Sequence, residues 1–264
     1  MSGFGEISER LRRSTVRVSS GRRQGFGSGV IWSASGLVLT NAHVATDAES
    51  QVELWDGRRV AARLTARDRR RDLAALQIAA TGLEPATPGD SGALRAGELV
   101  IAVGNPLGFA GAVSTGVVHS IGRLPGMGRQ SWILANVRLA PGNSGGPLAD
   151  AQGRVVGINT AVVNGLGVAA PSNAATEFLR RGPQPSLGVT LRPMSLGLLI
   201  LEVDEGGAAQ AASLRSGDVL LIPLDDLNAA LDSGRATLRL PFLRGDTRRV
   251  RETVVRLAPE AVAA

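Results

Sequence analysis

The chain carries at residues 140–147 the octapeptide APGNSGGP, which sets Ser144 between glycines in a segment typical of a tight turn. Glycine adopts backbone dihedrals that other residues avoid and lets a ligand approach the main chain closely. The N–H groups of Gly142 and Ser144 can then converge on one point and, with Asn143 between them, form a candidate oxyanion hole. A glycine-rich hairpin turn with an incidental serine would show a similar pattern, so the octapeptide alone leaves both interpretations open.

A serine hydroxyl is a weak nucleophile at neutral pH and needs a histidine base and a carboxylate that orients the base. The chain has two histidines. His43 lies just after the apolar run at 36–39, where a strand end can deliver it to a cleft, whereas His119 lacks such loop context. Asp72 begins the apolar segment at 72–78 and is the candidate carboxylate. A structural role stays open for each residue taken alone.

The three candidates occur in the order His43, Asp72, Ser144, which is the order found in chymotrypsin-like proteases. The order and the three local contexts together indicate a Ser-His-Asp triad more strongly than any single motif.

These segments resemble the HtrA/Deg family of serine proteases. The resemblance rests on TNAHV at 40–44, DLA at 72–74 and GNSGGP at 142–147. It continues, in the family's order, through GSGVI at 27–31, GLVL at 36–39, GNPLG at 104–108, STGVV at 114–118 and GVAAPSN at 167–173. It implies an endopeptidase of protein quality control that cleaves unfolded or damaged polypeptides with His43, Asp72 and Ser144.

The composition favours a mainly β protein that uses no cofactor. The 264 residues suffice for two or three compact units, and the 34 glycines and 13 prolines suit many short strands joined by turns. The chain has no cysteine, which excludes a disulfide or a thiolate metal site. No lysine occurs, so the Ser-Lys dyad and Schiff-base chemistry are excluded.

The net charge of +6 comes from arginine, and the arginine-rich segments lie at 22–23, 67–71 and 248–249. They could form a nucleic-acid surface. Aromatic side chains for base stacking make up only 3% of the chain, so we expect a solvated surface and no nucleic-acid partner.

The first 30 residues contain no apolar run long enough for a signal peptide or a membrane span. As written, the chain is expected to be cytoplasmic. Members of the family mostly work in the periplasm or similar compartments, so a periplasmic location is the expectation if a targeting segment precedes this sequence.

Strand-like segments recur every eight to twelve residues, which is typical of a barrel or sandwich. They predict an N-terminal arm at 1–14 and a protease domain at 15–182 with barrels at about 15–80 and 97–181. The resemblance implies the same chymotrypsin-like double barrel, with the active site between the two barrels. A closing helix is expected at 173–181 and a linker at 182–185.

Residues 186–258 resemble the PDZ domain that follows the protease in this family, which predicts a small α/β domain. The carboxylate-binding loop would be Ser186, Leu187, Gly188 and Val189, and its ligands would be C-terminal peptides. Few residues separate Asp218 from the helix expected at 226–231, so a shallow groove or a domain without peptide ligands is an alternative.

The resemblance also implies the specificity site. The substrate backbone would pair with Ile158, Asn159, Thr160 and Ala161, and the primary pocket would be completed by Val168, Ala169 and Ala170. These small apolar side chains predict cleavage after small or medium aliphatic residues. Arg138 lies near the expected pocket floor, and Asn136 occupies a position where many relatives carry aspartate.

Three questions stay open at this level. A homotrimer is expected from the resemblance, although Phe4 is the only aromatic residue in the N-terminal arm. A chaperone or peptide-binding scaffold that keeps the protease fold without significant catalysis is the main alternative function. An esterase of small molecules is a further one.

Overall fold

The computed structural model describes residues 3–20, 25–125, 127, 130–182 and 185–257, with only the main chain described at 25 and 246–248. The arginine pair at 22–23, residues 183–184 of the expected linker and residue 258 lie outside the described residues. The chain divides into two compact units, one ending at Gly182 and the other formed mainly by the residues that follow.

The first unit begins with helix α1, Phe4–Ser14, whose Ile7 and Leu11 side chains are buried. Six strands then form a closed antiparallel barrel in the order β1-β2-β3-β6-β5-β4. The strands are β1 Thr15–Ser20, β2 Gly25–Ile31, β3 Leu37–Thr40, β4 Glu49–Glu53, β5 Arg59–Asp68 and β6 Leu73–Ile78. Alternate side chains of these strands point inward, so Val18, Val38 and Leu76 meet in one buried core.

A second barrel follows in the same unit. Its strands are β8 Leu99–Gly104, β9 Ala112–Arg123, β10 Ser131–Ala135, β11 Pro147–Asp150, β12 Arg154–Val163 and β13 Leu166–Pro171. They are ordered β11-β8-β9-β10-β13-β12, and pairing of β11 with β12 closes the ring. Strand β7, Thr87–Pro88, lies in sequence between the strands of the two barrels and pairs in parallel with β12. The mainly β fold with two closed barrels, expected from the sequence, is confirmed.

Two short elements flank the second barrel. A 3₁₀ turn at Pro106–Gly108 follows β8. Helix α2, Ser172–Arg181, follows β13 and begins one residue before the predicted start, with Ala175 and Phe178 buried. Among the described residues, no helix combines the length and apolar character needed to cross a membrane.

The second unit is a five-stranded antiparallel sheet in the order β14-β15-β16-β17-β18. Its strands are β14 Val189–Met194, β15 Gly197–Val203, β16 Val219–Leu220, β17 Thr237–Arg244 and β18 Asp246–Arg256. Helices α3, Ala208–Ala211, and α4, Leu224–Asp232, complete it. Leu227 of α4 packs with Ile200 and Leu240 of the sheet in a core of their own. The short β16 reflects the few residues between Asp218 and α4.

Candidate active site

His43 lies three residues beyond the end of β3. The hydroxyl of Thr40, the last residue of that strand, donates a hydrogen bond of 2.6 Å to the Ser28 carbonyl oxygen. The next turn is closed by hydrogen bonds from the amides of Val44 and Ala45 to the Asn41 carbonyl oxygen, each 3.1 Å long. These contacts fix the main chain on both sides of the imidazole.

Asp72 holds His43 through both carboxylate oxygens. Its Oδ2 lies 2.7 Å from His43 Nδ1, and its Oδ1 accepts the His43 backbone N–H at 3.0 Å. The Asp72 side chain is 18% exposed and that of His43 is 51% exposed. The imidazole of His43 is therefore half exposed to solvent, whereas the Asp72 carboxylate is mostly buried.

Asp72 has a left-handed backbone with φ of +51°, which is uncommon outside glycine. The turn before it is anchored by Asp68, whose buried Oδ1 accepts the amides of Arg70 and Arg71 at 3.0 and 3.1 Å. The Arg71 guanidinium adds a contact of 2.6 Å to Asp68 Oδ2. A buried carboxylate thus offsets the strain of the turn that presents Asp72.

Partial desolvation of the half-exposed imidazole works to lower the pKa of His43, but the hydrogen bond and the charge of Asp72 outweigh it, and the pKa is raised above 6.5. Because Nδ1 faces a carboxylate, the neutral ring carries its proton there. Nε2 is then the nitrogen that can accept a proton.

The serine turn is clamped by Ser28 of β2. The Ser28 amide donates to the Ser144 carbonyl oxygen at 2.7 Å, and the Ser28 hydroxyl donates to the Gly142 carbonyl oxygen at 2.7 Å. Gly145 has φ of +88°. A Cβ there would collide with the Ser28 carbonyl oxygen, so glycine is required.

Two amides of this turn have no hydrogen-bond acceptor among the described residues. Within the described residues, neither the Gly142 nor the Ser144 N–H donates a hydrogen bond to the protein. The Asn143 amide donates to the Ala140 carbonyl oxygen at 3.0 Å and is therefore engaged within the turn. Of the three residues expected to form the oxyanion hole, Gly142 and Ser144 have available donors.

Ser144 does not contact the imidazole through a hydrogen bond. Its hydroxyl donates instead to the Thr160 carbonyl oxygen at 3.0 Å. His43 and Asp72 are thus joined as expected, and Ser144 is held beside β12. The structure places His119 on β9.

Comparison with known proteins gives the family of the chain. Residues 27–158 match the trypsin-like peptidase domain. The chain belongs to this family. It is 36% identical over 236 residues to the putative serine protease HhoB of Synechocystis sp., covering 76% of this chain and 56% of HhoB. It is 37% identical over 228 residues to a probable periplasmic DegP-like serine endoprotease of Halomonas elongata, covering 76% of this chain and 48% of the relative.

A solved structure of the HtrA-type protease AlgW with a decapeptide covers 98% of this chain and 100% of its own, with a TM-score of 0.65 and 26% identity. The homologues of this trypsin-like peptidase are therefore HtrA/DegP-type serine proteases. The chain spans about half the length of the first two curated relatives, 56% of one and 48% of the other.

Most of the peptidase residues expected to bind substrate are sealed in the second barrel. The side chains of Ile158, Asn159, Val168, Ala169 and Ala170 are at most 1% exposed. They are packed there because Ile158 and Asn159 of β12 lie opposite Ala170 and Ala169 of β13. The contacts expected of Ile158 and Asn159 are made by the main chain, so they do not depend on exposed side chains, and the pocket expected at Val168, Ala169 and Ala170 stays a prediction.

Thr160 and Ala161 follow on the same strand, β12. The pairing of β12 with β13 shifts register between Asn159 and Ala161, so Thr160 has no partner residue opposite it. Such a bulge redirects one residue of a strand. Here it directs the Thr160 carbonyl group to Ser144.

The loop that leads to the serine turn is fixed to β9. The side-chain Oδ1 of Asn136 accepts the backbone N–H of Val117 at 2.6 Å. The backbone N–H of Asn136 donates to the Val117 carbonyl oxygen at 3.1 Å. The Arg138 side chain is exposed, and its amide donates to the Ser114 hydroxyl at 2.9 Å. These three contacts join polar groups that a sequence pattern cannot pair, because their partners are distant along the chain.

In the second unit, the expected carboxylate loop precedes β14 at the edge of the sheet. Its Gly188 amide donates to the Ser186 hydroxyl at 3.0 Å. Leu187 is buried, and its carbonyl oxygen accepts the Ala209 amide at 2.8 Å. The described residues contain no group of three or more His, Asp or Glu side chains placed to hold a metal ion.

Proposed function

We propose that this chain is a serine endopeptidase of the HtrA/Deg type that cleaves unfolded or damaged polypeptides with His43, Asp72 and Ser144. The observation that carries the proposal is the 2.7 Å contact between His43 Nδ1 and Asp72 Oδ2. Two unoccupied amides in the Ser144 turn support it. The peptide named with the AlgW structure agrees with a polypeptide substrate.

The reaction begins with a rotation of Ser144. Its hydroxyl leaves the Thr160 carbonyl oxygen, 3.0 Å away, and turns to His43 Nε2. A substrate strand beside β12 that presents a main-chain N–H competes for the same carbonyl oxygen and favours this rotation. Substrate binding and activation of the nucleophile are thereby coupled.

Acyl transfer follows. His43 takes the hydroxyl proton as Ser144 attacks the scissile carbonyl carbon, and Asp72 stabilises the imidazolium. The amides of Gly142 and Ser144 hold the oxyanion. His43 then protonates the leaving amine, and water repeats the cycle to release the acyl fragment.

We propose a preference for small or medium aliphatic residues before the cleaved bond. A Cβ on Gly167 would lie 2.6 Å from a methyl group of Val137 and 3.0 Å from one of Leu139, so these side chains fill the space beside β13. Leu139→Ala should raise the kcat/KM ratio of leucine over alanine substrates about tenfold or more. Arg138→Ala, which removes an exposed side chain, is the matched control. An unchanged ratio in Leu139→Ala argues against this pocket.

The central experiment is labelling with a fluorophosphonate probe followed by peptide mapping. We expect the wild type to be labelled at Ser144 and to degrade unfolded casein, and Ser144→Ala to do neither. A wild type that binds casein without cleaving it supports the scaffold alternative. Hydrolysis of small esters without casein cleavage supports an esterase.

The second unit is proposed to bind C-terminal peptides along β14, which lies at the sheet edge where a peptide can add as a strand. Fluorescence anisotropy with peptides bearing a free or an amidated C-terminus tests this. Equal affinity for the two, or no binding of either, contradicts it.

Assembly and compartment are tested separately. We propose a homotrimer, which light scattering at micromolar concentration would detect, and a clean monomer would contradict it. The DegP-like relatives are described as periplasmic, so cell fractionation should compare the periplasm with the cytoplasm.

A further inference from the structure

Asn41 is a fully buried residue that lies between β3 and His43. Its Nδ2 donates at 2.7 Å to the Asp72 carbonyl oxygen and at 3.0 Å to Thr160 Oγ1. Its Oδ1 is also buried and accepts no hydrogen bond from the described residues. The site therefore uses Asn41 as a donor to two acceptors, and this use fixes the orientation of its amide group.

Thr160 receives this contact in the other barrel. It lies at the bulge of β12, and its hydroxyl donates to the Ile158 carbonyl oxygen at 3.2 Å while accepting from Asn41. Its own carbonyl oxygen accepts the Ser144 hydroxyl. One residue therefore contacts Asn41 through its side chain and the nucleophile through its main chain.

We propose that the Asn41–Thr160 hydrogen bond is the positioning contact that holds the His43–Asp72 pair in register with Ser144 across the two barrels. The inference rests on the proposed function, since it concerns the same reaction. Asn41 ties the Asp72 main chain to β12, and β12 holds Ser144 at Thr160. A buried hydrogen bond in a medium of low dielectric has a well-defined geometry, which a positioning contact needs.

Few substitutions at position 41 or 160 keep the donor and the acceptor of the Asn41–Thr160 hydrogen bond. Aspartate at 41 has no N–H donor for the Asp72 carbonyl oxygen, and valine at 160 has the shape of threonine but no hydroxyl. Serine at 160 keeps the hydroxyl. Thr160→Val and Thr160→Ser therefore form a matched pair that separates the hydrogen bond from the side-chain volume.

The experiment compares full-length variants in kcat and KM on a casein-derived peptide and in the rate of fluorophosphonate labelling, with Tm measured in parallel. Thr160→Val is expected to lower kcat and the labelling rate about 10- to 100-fold, with a small change in KM. Thr160→Ser should restore most of the rate. The double variant Asn41→Ala/Thr160→Val should be no slower than Asn41→Ala alone, because the two substitutions remove the same hydrogen bond.

Thr65→Val is the control for loss of a hydroxyl elsewhere in the peptidase domain, where Thr65 donates to the Ala75 carbonyl oxygen at 3.1 Å. It should change Tm and leave kcat near that of the wild type. A Thr160→Val variant that behaves like Thr65→Val overturns the proposal, and this result stands even where Asn41→Ala does not fold. A wild type that neither hydrolyses peptides nor reacts with the probe refutes the proposed function, and the positioning role with it.

Discussion

At the scale of single residues, the site depends on how His43 is oriented and charged. Its contact with Asp72 selects the proton on Nδ1 and leaves Nε2 as the base. The orienting carboxylate stays largely buried while the imidazole is half exposed. The predicted pH dependence of activity therefore follows from one pair of side chains.

Asp72→Asn should lower kcat by about 10⁴, as the corresponding change does in another serine protease where it selects the wrong tautomer. The comparison should use steady-state cleavage of an unfolded protein, with Tm as a control for folding. A variant that keeps the wild-type rate excludes Asp72 from the reaction.

The raised pKa of His43 places the acid limb of kcat/KM above pH 6.5, because the imidazole must be neutral to accept a proton. Asp72→Asn removes the hydrogen bond to a carboxylate and its charge, so the acid limb of the residual activity should move to lower pH. The same raised pKa contributes stability that is fully present below pH 6.5 and is lost as the pH rises through the folded-state pKa. A pH–rate profile whose acid limb does not move in Asp72→Asn contradicts the assignment.

At the scale of elements, two turns present the candidate residues of the triad. The turn at 68–72 is anchored by the buried Asp68 and presents Asp72. The turn at 142–146 is clamped by Ser28 and presents Ser144. In both, polar contacts to the main chain stabilise dihedrals that the chain would otherwise avoid.

Gly145→Ala should destabilise the first unit by more than the roughly 1–2 kcal/mol that a left-handed alanine costs. The excess arises because a Cβ at 145 collides with the Ser28 carbonyl oxygen. Gly165→Ala is the control, since Gly165 has φ of +80° but open space around a Cβ. Urea unfolding monitored by tryptophan fluorescence measures the free energy of unfolding of both variants. Equal losses of stability in the two would mean that movement of the turn relieves the collision at 145.

At the scale of the whole molecule, the two units have separate cores. Leu76 is completely buried in the first barrel and Leu240 in the C-terminal sheet. Each unit therefore has the apolar interior that a cooperative transition requires.

Calorimetry should show that Leu76→Ala shifts the transition of the first unit and Leu240→Ala that of the second, each with a loss of about 2–5 kcal/mol. Leu240→Ala should leave fluorophosphonate labelling of Ser144 unchanged at temperatures below its transition. One transition that both variants shift equally would show that the two units unfold together.

The sequence by itself determined the three candidate residues of the triad, the two-barrel division and the helices that follow β13 and β16, because turn glycines, apolar alternation and local motifs are short-range signals. Only the tertiary structure decided which groups meet. The Ser144 hydroxyl binds Thr160, Asn41 joins Asp72 to Thr160, and Ile158 with Val168 is sealed from solvent. These outcomes depend on a bulge in β12 and on contacts between residues up to 119 positions apart. Periodicity along the chain carries no information about either, because it reports which face a side chain occupies and not which partner it finds across the barrel.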